Sequence, residues 1–175
     1  PVIALDLDQT RRELALRLGA DHALSPAAED FGEAFRALTN GQGANAIIEV
    51  TGVPIAMNQA LACAAWQGRI VALGCTREKT GDIDFYQQVH RPGVSIIGAH
   101  NFVRPKHESS PGHWTMRDDM RILLRMISSK RLHVRPMISE QVSPEQAPAV
   151  YERLAETEFP PVGIVFDWRK EGGRS

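Results

Sequence analysis

The 175-residue chain predicts an α/β fold built on a parallel sheet. Three observations carry that reading. Short apolar runs near residues 2–5, 46–50, 70–73 and 94–97 alternate with segments of helical period. The runs are nearly continuous rather than polar at every second position, which suits strands covered on both faces. Several of them close on an acid or a glycine turn: Asp6, Thr51-Gly52 and Leu73-Gly74.

Composition narrows the classes. With 43% hydrophobic and 23% charged residues the chain reads as an ordinary soluble globular protein. A net charge of -1 gives no basic face for nucleic acid. No run approaches the roughly 20 apolar residues of a membrane span, and no leader pattern opens the chain. Cys63 and Cys75 are too few for a disulfide framework, and two free thiols suit a reducing cytoplasm.

The elements follow in order. The first strand ends on Asp6, and Thr10 to Glu13 has the spacing of a capping box that opens a helix. Leu14, Ala15 and Leu18 share one face of it, and Gly19 stops it. A short strand at 22–24 is followed by Ser25-Pro26, an N-cap and first-turn proline. Phe31, Ala34, Phe35 and Leu38 then mark a helical stripe that ends at Asn40-Gly41. The strand at 46–52, a helix at 55–65, the strand at 68–74 and the strand at 94–98 continue the alternation. Residues 101–116 form a long polar loop, a place where function often sits. A helix at 115–129, a possible strand at 136–142, a helix capped by Ser143-Pro144-Glu145-Gln146 and a last strand at 163–168 complete the chain before a polar tail. In the last of these helices Ala147, Val150, Tyr151 and Leu154 make the expected buried stripe.

An apolar strand that closes on an acid and leads into a helix fits the second strand of a dinucleotide-binding βαβ unit. There the carboxylate accepts hydrogen bonds from the adenosine ribose. The G-x-G-x-x-G that belongs upstream of it is not in the sequence. In the strand order 3-2-1-4-5-6 the first strand is central. The fold class expected is therefore a Rossmann-like doubly wound parallel sheet lacking its first strand. Without that strand its two neighbours would present unpaired edges.

The succession VIALD, LGAD, AIIEVTG, GRIVALG and SIIGAHN resembles the second half of the medium-chain, zinc-type alcohol and polyol dehydrogenases. The later stretch SSKRLHVRPMISEQVSPEQAPAVYERLAE resembles the return of that family's chain into its catalytic domain. The resemblance implies a truncated dinucleotide-binding domain at 1–100, a loop and linking helix at 101–132, and a C-terminal piece of the catalytic domain at 133–175. It implies an enzyme that passes hydride between NAD and an alcohol, polyol or sugar hydroxyl, working as a homodimer or homotetramer. A non-catalytic nucleotide-binding or scaffold domain of the same fold is the alternative.

Cofactor contacts carry over by position. Asp6 matches the acid on the adenosine ribose, which favours NAD over NADP because a carboxylate repels a 2′-phosphate. Arg11 matches a basic position on the same ribose. Thr51, Gly52 and Val53 match the turn beside the adenine and its ribose. Leu73, Gly74 and Cys75 match the turn facing the nicotinamide ribose and carboxamide. Gly98, Ala99 and Asn101 match the last strand end, near the carboxamide. Zinc is implied too, but its family ligands belong to the N-terminal domain, so no catalytic or metal residue is assigned. His100, His107, Glu108 and His113 fit no H-x-x-x-H or H-E-x-x-H spacing.

Overall fold

A computed structural model describes residues 1–75 and 77–171. In chain order the elements are β1 (Ile3–Leu5), α1 (Gln9–Arg17), β2 (His22–Leu24), α2 (Phe31–Leu38), β3 (Ala44–Glu49), α3 (Pro54–Cys63), β4 (Ala64–Ala72), β5 (Ser95–Gly98), α4 (Met116–Ser128), β6 (Glu140–Val142), α5 (Ala147–Glu156) and β7 (Ile164–Phe166). Every pairing between these strands is parallel. The sheets are β1-β2, β3-β4-β5 and β6-β7. The first two are what the order 3-2-1-4-5-6 leaves when its first strand is taken away. The chain divides into two compact units, Glu29–Arg121 and the pair of segments on either side of it.

The first unit joins the β1-α1-β2 segment to the chain from Ile122 onward. Its first helix starts one residue before the capping box expected at Thr10. Asp8 takes the N-cap instead, with extended backbone and a side chain that accepts from the Arg11 amide at 3.1 Å. Gly19, at φ +107°, ends the helix in a conformation that disfavours any side chain. The strand expected at 136–142 begins later. Residues Arg135–Met137 form a 3-10 turn, since Pro136 has no N–H for a ladder, and only Glu140–Val142 pair with β7. The Ser143–Gln146 capping box is present, with the Ser143 amide donating to Gln146 Oε1 at 3.1 Å. Along α5 Val150 is buried, whereas Tyr151 is exposed and its ring stacks on Phe166 at 6.4 Å. The tail beyond Glu171 lies outside the described residues.

The second unit holds the larger core. Ile70, fully buried at 0%, packs with Ala60, Leu61 and Val94, and Ile47, Met57, Ile83 and Val89 surround them. One face of the β3-β4-β5 sheet thus rests on α3 and the segment before β5. The other face carries Ile48, Val71 and Ile97 abreast, with Ile48 at 64% exposed and Ile97 at 43%. Helix α2 begins at Phe31, not at Pro26. Ser25 and Pro26 make only a turn, closed by the Ala28 amide on the Ser25 carbonyl at 3.2 Å. Residues 27–30 are exposed and bring no apolar side chain larger than alanine's methyl to bury, so the cap signal has little to stabilise.

Asp167 shows how the first unit's small sheet is tied. Its carboxylate accepts from Arg169 Nε at 2.9 Å, from the Arg169 amide at 3.1 Å and from Gln141 Nε2 of β6. These donors, Arg169 foremost, lower its pKa from 3.8 to about 2. A folded pKa below the unfolded one gives stability that is complete above pH 3.8 and lost as pH falls toward 2. Acid unfolding followed by circular dichroism should therefore steepen across that window, and Asp167→Asn should remove the extra steepness.

Candidate functional site

The in-register parallel pairing of the second unit sets Glu49, Ala72 and Gly98 abreast. The three turns that follow leave one edge of the sheet together. They carry Thr51, Gly52 and Val53, then Leu73, Gly74 and Cys75, then Ala99 and Asn101. This is the carboxyl end of the strands, where open α/β sheets receive ligands. The Ala99 amide donates to the Ala72 carbonyl at 3.0 Å, continuing the ladder past β5. Thr51, Val53, Leu73 and Cys75 are exposed. Asn101 opens a short 3-10 turn in which His100 Nδ1 accepts from the Phe102 amide at 3.2 Å.

Two of the glycines serve different ends. Gly52 sits at φ +70°, a left-handed conformation. Gly74 has ordinary backbone, but a Cβ built on it would overlap the Gly52 amide and come within 2.7 Å of the Val50 carbonyl carbon. Its missing side chain leaves room for the neighbouring turn. At Gly98 a Cβ would meet nothing within 4 Å.

The sequence reading passed over Glu49. It is a buried acid, 7% exposed, at the end of β3. Its Oε1 accepts from the Thr51 amide at 2.7 Å, the Thr51 hydroxyl at 2.5 Å and the Gly52 amide at 3.1 Å. Its own carbonyl accepts from the Leu73 and Gly74 amides, both at 2.9 Å. The signal was available, since an acid inside an otherwise apolar run demands internal donors. These amides and the Thr51 hydroxyl are thus turned inward on Glu49.

In the first unit Asp6 closes β1, with its amide on the Leu24 carbonyl at 3.3 Å. Asp6 Oδ1 accepts from the Asp8 amide at 2.9 Å, and Oδ2 lies 3.9 Å from Arg11 Nη1. The two side chains are 35% and 32% exposed, so the pair is open to water and weak in itself. Arg11 Nη2 donates to the Pro160 carbonyl at 2.6 Å, while its Nε is buried without a partner. Asp6 and Arg11 border a groove of about 370 Å³ with Leu14, Leu18, Met137 and Val162.

The polar loop is fastened at α4. Ser109 and Thr115 hydroxyls donate to Asp118 Oδ2 at 2.6 and 2.9 Å, which holds that carboxyl below its usual pKa. Trp114, in the same loop, is 49% exposed. Among the described residues no three His, Cys, Asp or Glu side chains gather as a metal site. Both cysteines are free, Cys63 buried and Cys75 exposed, and burial pushes the Cys63 thiol pKa up. No helix among the described residues is long and apolar enough to cross a membrane.

Parallel strands with glycine turns at their carboxyl ends give the chain a Rossmann-like α/β fold. The family model of zinc-binding dehydrogenases matches residues 1–111, and the chain belongs to that family. It is 28% identical over 166 residues to an L-threonine 3-dehydrogenase of Symbiobacterium thermophilum, covering 95% of this chain and 44% of that one. It is 32% identical over 161 residues to a scyllo-inosose 3-dehydrogenase of Thermotoga maritima, covering 87% of this chain and 36% of that one. The chain thus spans less than half the length of these relatives. An Escherichia coli alcohol dehydrogenase solved with cofactor NADH shares the fold, with a TM-score of 0.72 and 18% identity over 93% of this chain and 43% of that one.

Gly74→Ala should destabilise the second unit by about 1–3 kcal/mol, because backbone must move to admit the methyl group. Gly98→Ala should stay within about 0.5 kcal/mol. Urea unfolding of the two variants beside the parent chain checks both.

Proposed function

We propose that this chain is the C-terminal, cofactor-binding part of an NAD-dependent, zinc-type oxidoreductase. The enzyme would move hydride between a nicotinamide and the hydroxyl of an alcohol, polyol or sugar. One observation carries the reading: in a chain of this family, β1 ends on Asp6, whose carboxylate is half-exposed and keeps Oδ2 free of short hydrogen bonds. That carboxylate would accept the adenosine ribose hydroxyls and repel a 2′-phosphate, which favours NAD over NADP. Arg11 would border the same ribose. Thr51, Gly52 and Val53 would lie by the adenine ribose. Leu73, Gly74 and Cys75, with Gly98, Ala99 and Asn101, would lie by the nicotinamide ribose and carboxamide. The family relatives named for L-threonine and scyllo-inosose support a hydroxyl-bearing substrate. The fold likeness to an NADH complex supports the cofactor.

A bound zinc ion would make the substrate hydroxyl more acidic and so ease hydride loss. This chain's part would be to bind and orient the dinucleotide. Residues 1–100 would be the dinucleotide-binding portion, 101–132 the loop and linking helix, and 133–175 a piece of the catalytic domain. Two free thiols suit a cytoplasmic setting. Strand β5 supports a homodimer or homotetramer. It pairs only with β4 among the described residues, and Ile96 and Ile97 are 42% and 43% exposed on it.

Titration of the chain with NADH and NADPH, followed by nucleotide fluorescence, tests the cofactor reading. NADH should bind about tenfold tighter or more, and Asp6→Asn should narrow that gap. Equal or tighter binding of NADPH to the parent chain would overturn it. In sedimentation the chain should run as a dimer or larger, and Ile97→Lys should shift it to monomer.

A further inference from the structure

We infer that Glu49 is a positioning residue: it sets the turns Thr51-Gly52 and Leu73-Gly74 as a single piece, so that neither can shift alone. For its relevance to the cofactor this rests on the reading above. The coupling itself does not.

Glu49 is a buried acid at the end of a strand whose neighbours, Ile47, Ile48 and Val50, are apolar. An acid there costs stability unless it is fully hydrogen-bonded, and an isoleucine would suit packing better. No cation among the described residues balances it. Its partners are all neutral donors of one turn, the Thr51 amide, the Thr51 hydroxyl and the Gly52 amide. The hydroxyl that donates to Glu49 also accepts from the Val53 amide at 3.1 Å, which extends the grip to the residue preceding α3.

The second turn is held by the same residue through a different group. The Leu73 and Gly74 amides both donate to the Glu49 carbonyl at 2.9 Å. The turns also meet directly, because Gly74 lies so close to Gly52 that no Cβ fits. Side chain, carbonyl and glycine contact therefore form one closed set. If the carboxylate lets go of Thr51 and Gly52, Gly52 moves, and the wall against which Gly74 rests moves with it.

Amide hydrogen exchange on the full chain, without nucleotide, tests the coupling. Glu49→Ala should speed exchange at Thr51 and Gly52 by about tenfold or more, the loss expected for hydrogen bonds to a charged group, and should also speed it at Leu73 and Gly74, whose bonds to the Glu49 carbonyl loosen when the Gly52 wall moves. The Ile70 amide, in the middle of β4, should keep its parent rate. Glu49→Gln, which keeps the reach and one accepting oxygen, should fall between parent and alanine at all four amides. Acceleration confined to Thr51 and Gly52, or spread evenly to Ile70, overturns the proposal. Should the alanine variant fail to fold, the glutamine variant decides: parent-like exchange at Leu73 and Gly74 beside faster exchange at Thr51 overturns it. A parallel NADH titration separates the two readings. Failure of the parent chain to bind NADH counts against the dehydrogenase reading and leaves the exchange pattern standing. Where the parent binds, Glu49→Gln should weaken NADH about tenfold.

Discussion

The parallel register of β3, β4 and β5 is the constraint on which the second unit's site depends. Because Glu49, Ala72 and Gly98 are abreast, three separate turns leave the sheet at one level. A slip of one residue would turn Ile70 out of the core and reverse every side chain of its strand. Burial of Ile70, worth roughly 1.5–3 kcal/mol, therefore fixes the register and the site together. Glu49 then converts the common level into fixed geometry by bonding to both neighbouring turns.

Glycine illustrates how one residue type answers several demands. Gly52 supplies a left-handed backbone, and Gly74 supplies space for Gly52. From sequence the two are indistinguishable, since each follows an apolar strand. Only the fold tells which one a methyl group would wreck. The same holds for acids. Asp6 sits at a strand tip with an open carboxylate, whereas Glu49, also at a strand end, is turned inward and consumed by its own turn.

Much of the architecture was legible because it follows from local chemistry. Strand β2 and the end of α2 at Asn40-Gly41 stand where propensity put them, and the box at Ser143 formed as its spacing required. Where local signals misled, tertiary burial had overruled them. Ser25-Pro26 opened no helix because the first apolar residue worth burying is Phe31. Pro136 opened no strand because a parallel ladder needs its N–H. Tyr151, with the right spacing for a buried stripe, instead laid its ring on Phe166 and stayed exposed.

The sequence by itself determined which segments form strands and that an acid closes the first of them, because these depend on periodicity and short motifs carried in contiguous residues, and the likeness of those motifs pointed to a dehydrogenase family. It could not determine that Glu49 ties two turns together, or that Gly74 is small for the sake of Gly52. Those residues are about 25 positions apart along the chain, and only strand pairing, which ignores distance in sequence, brings them within hydrogen-bonding reach.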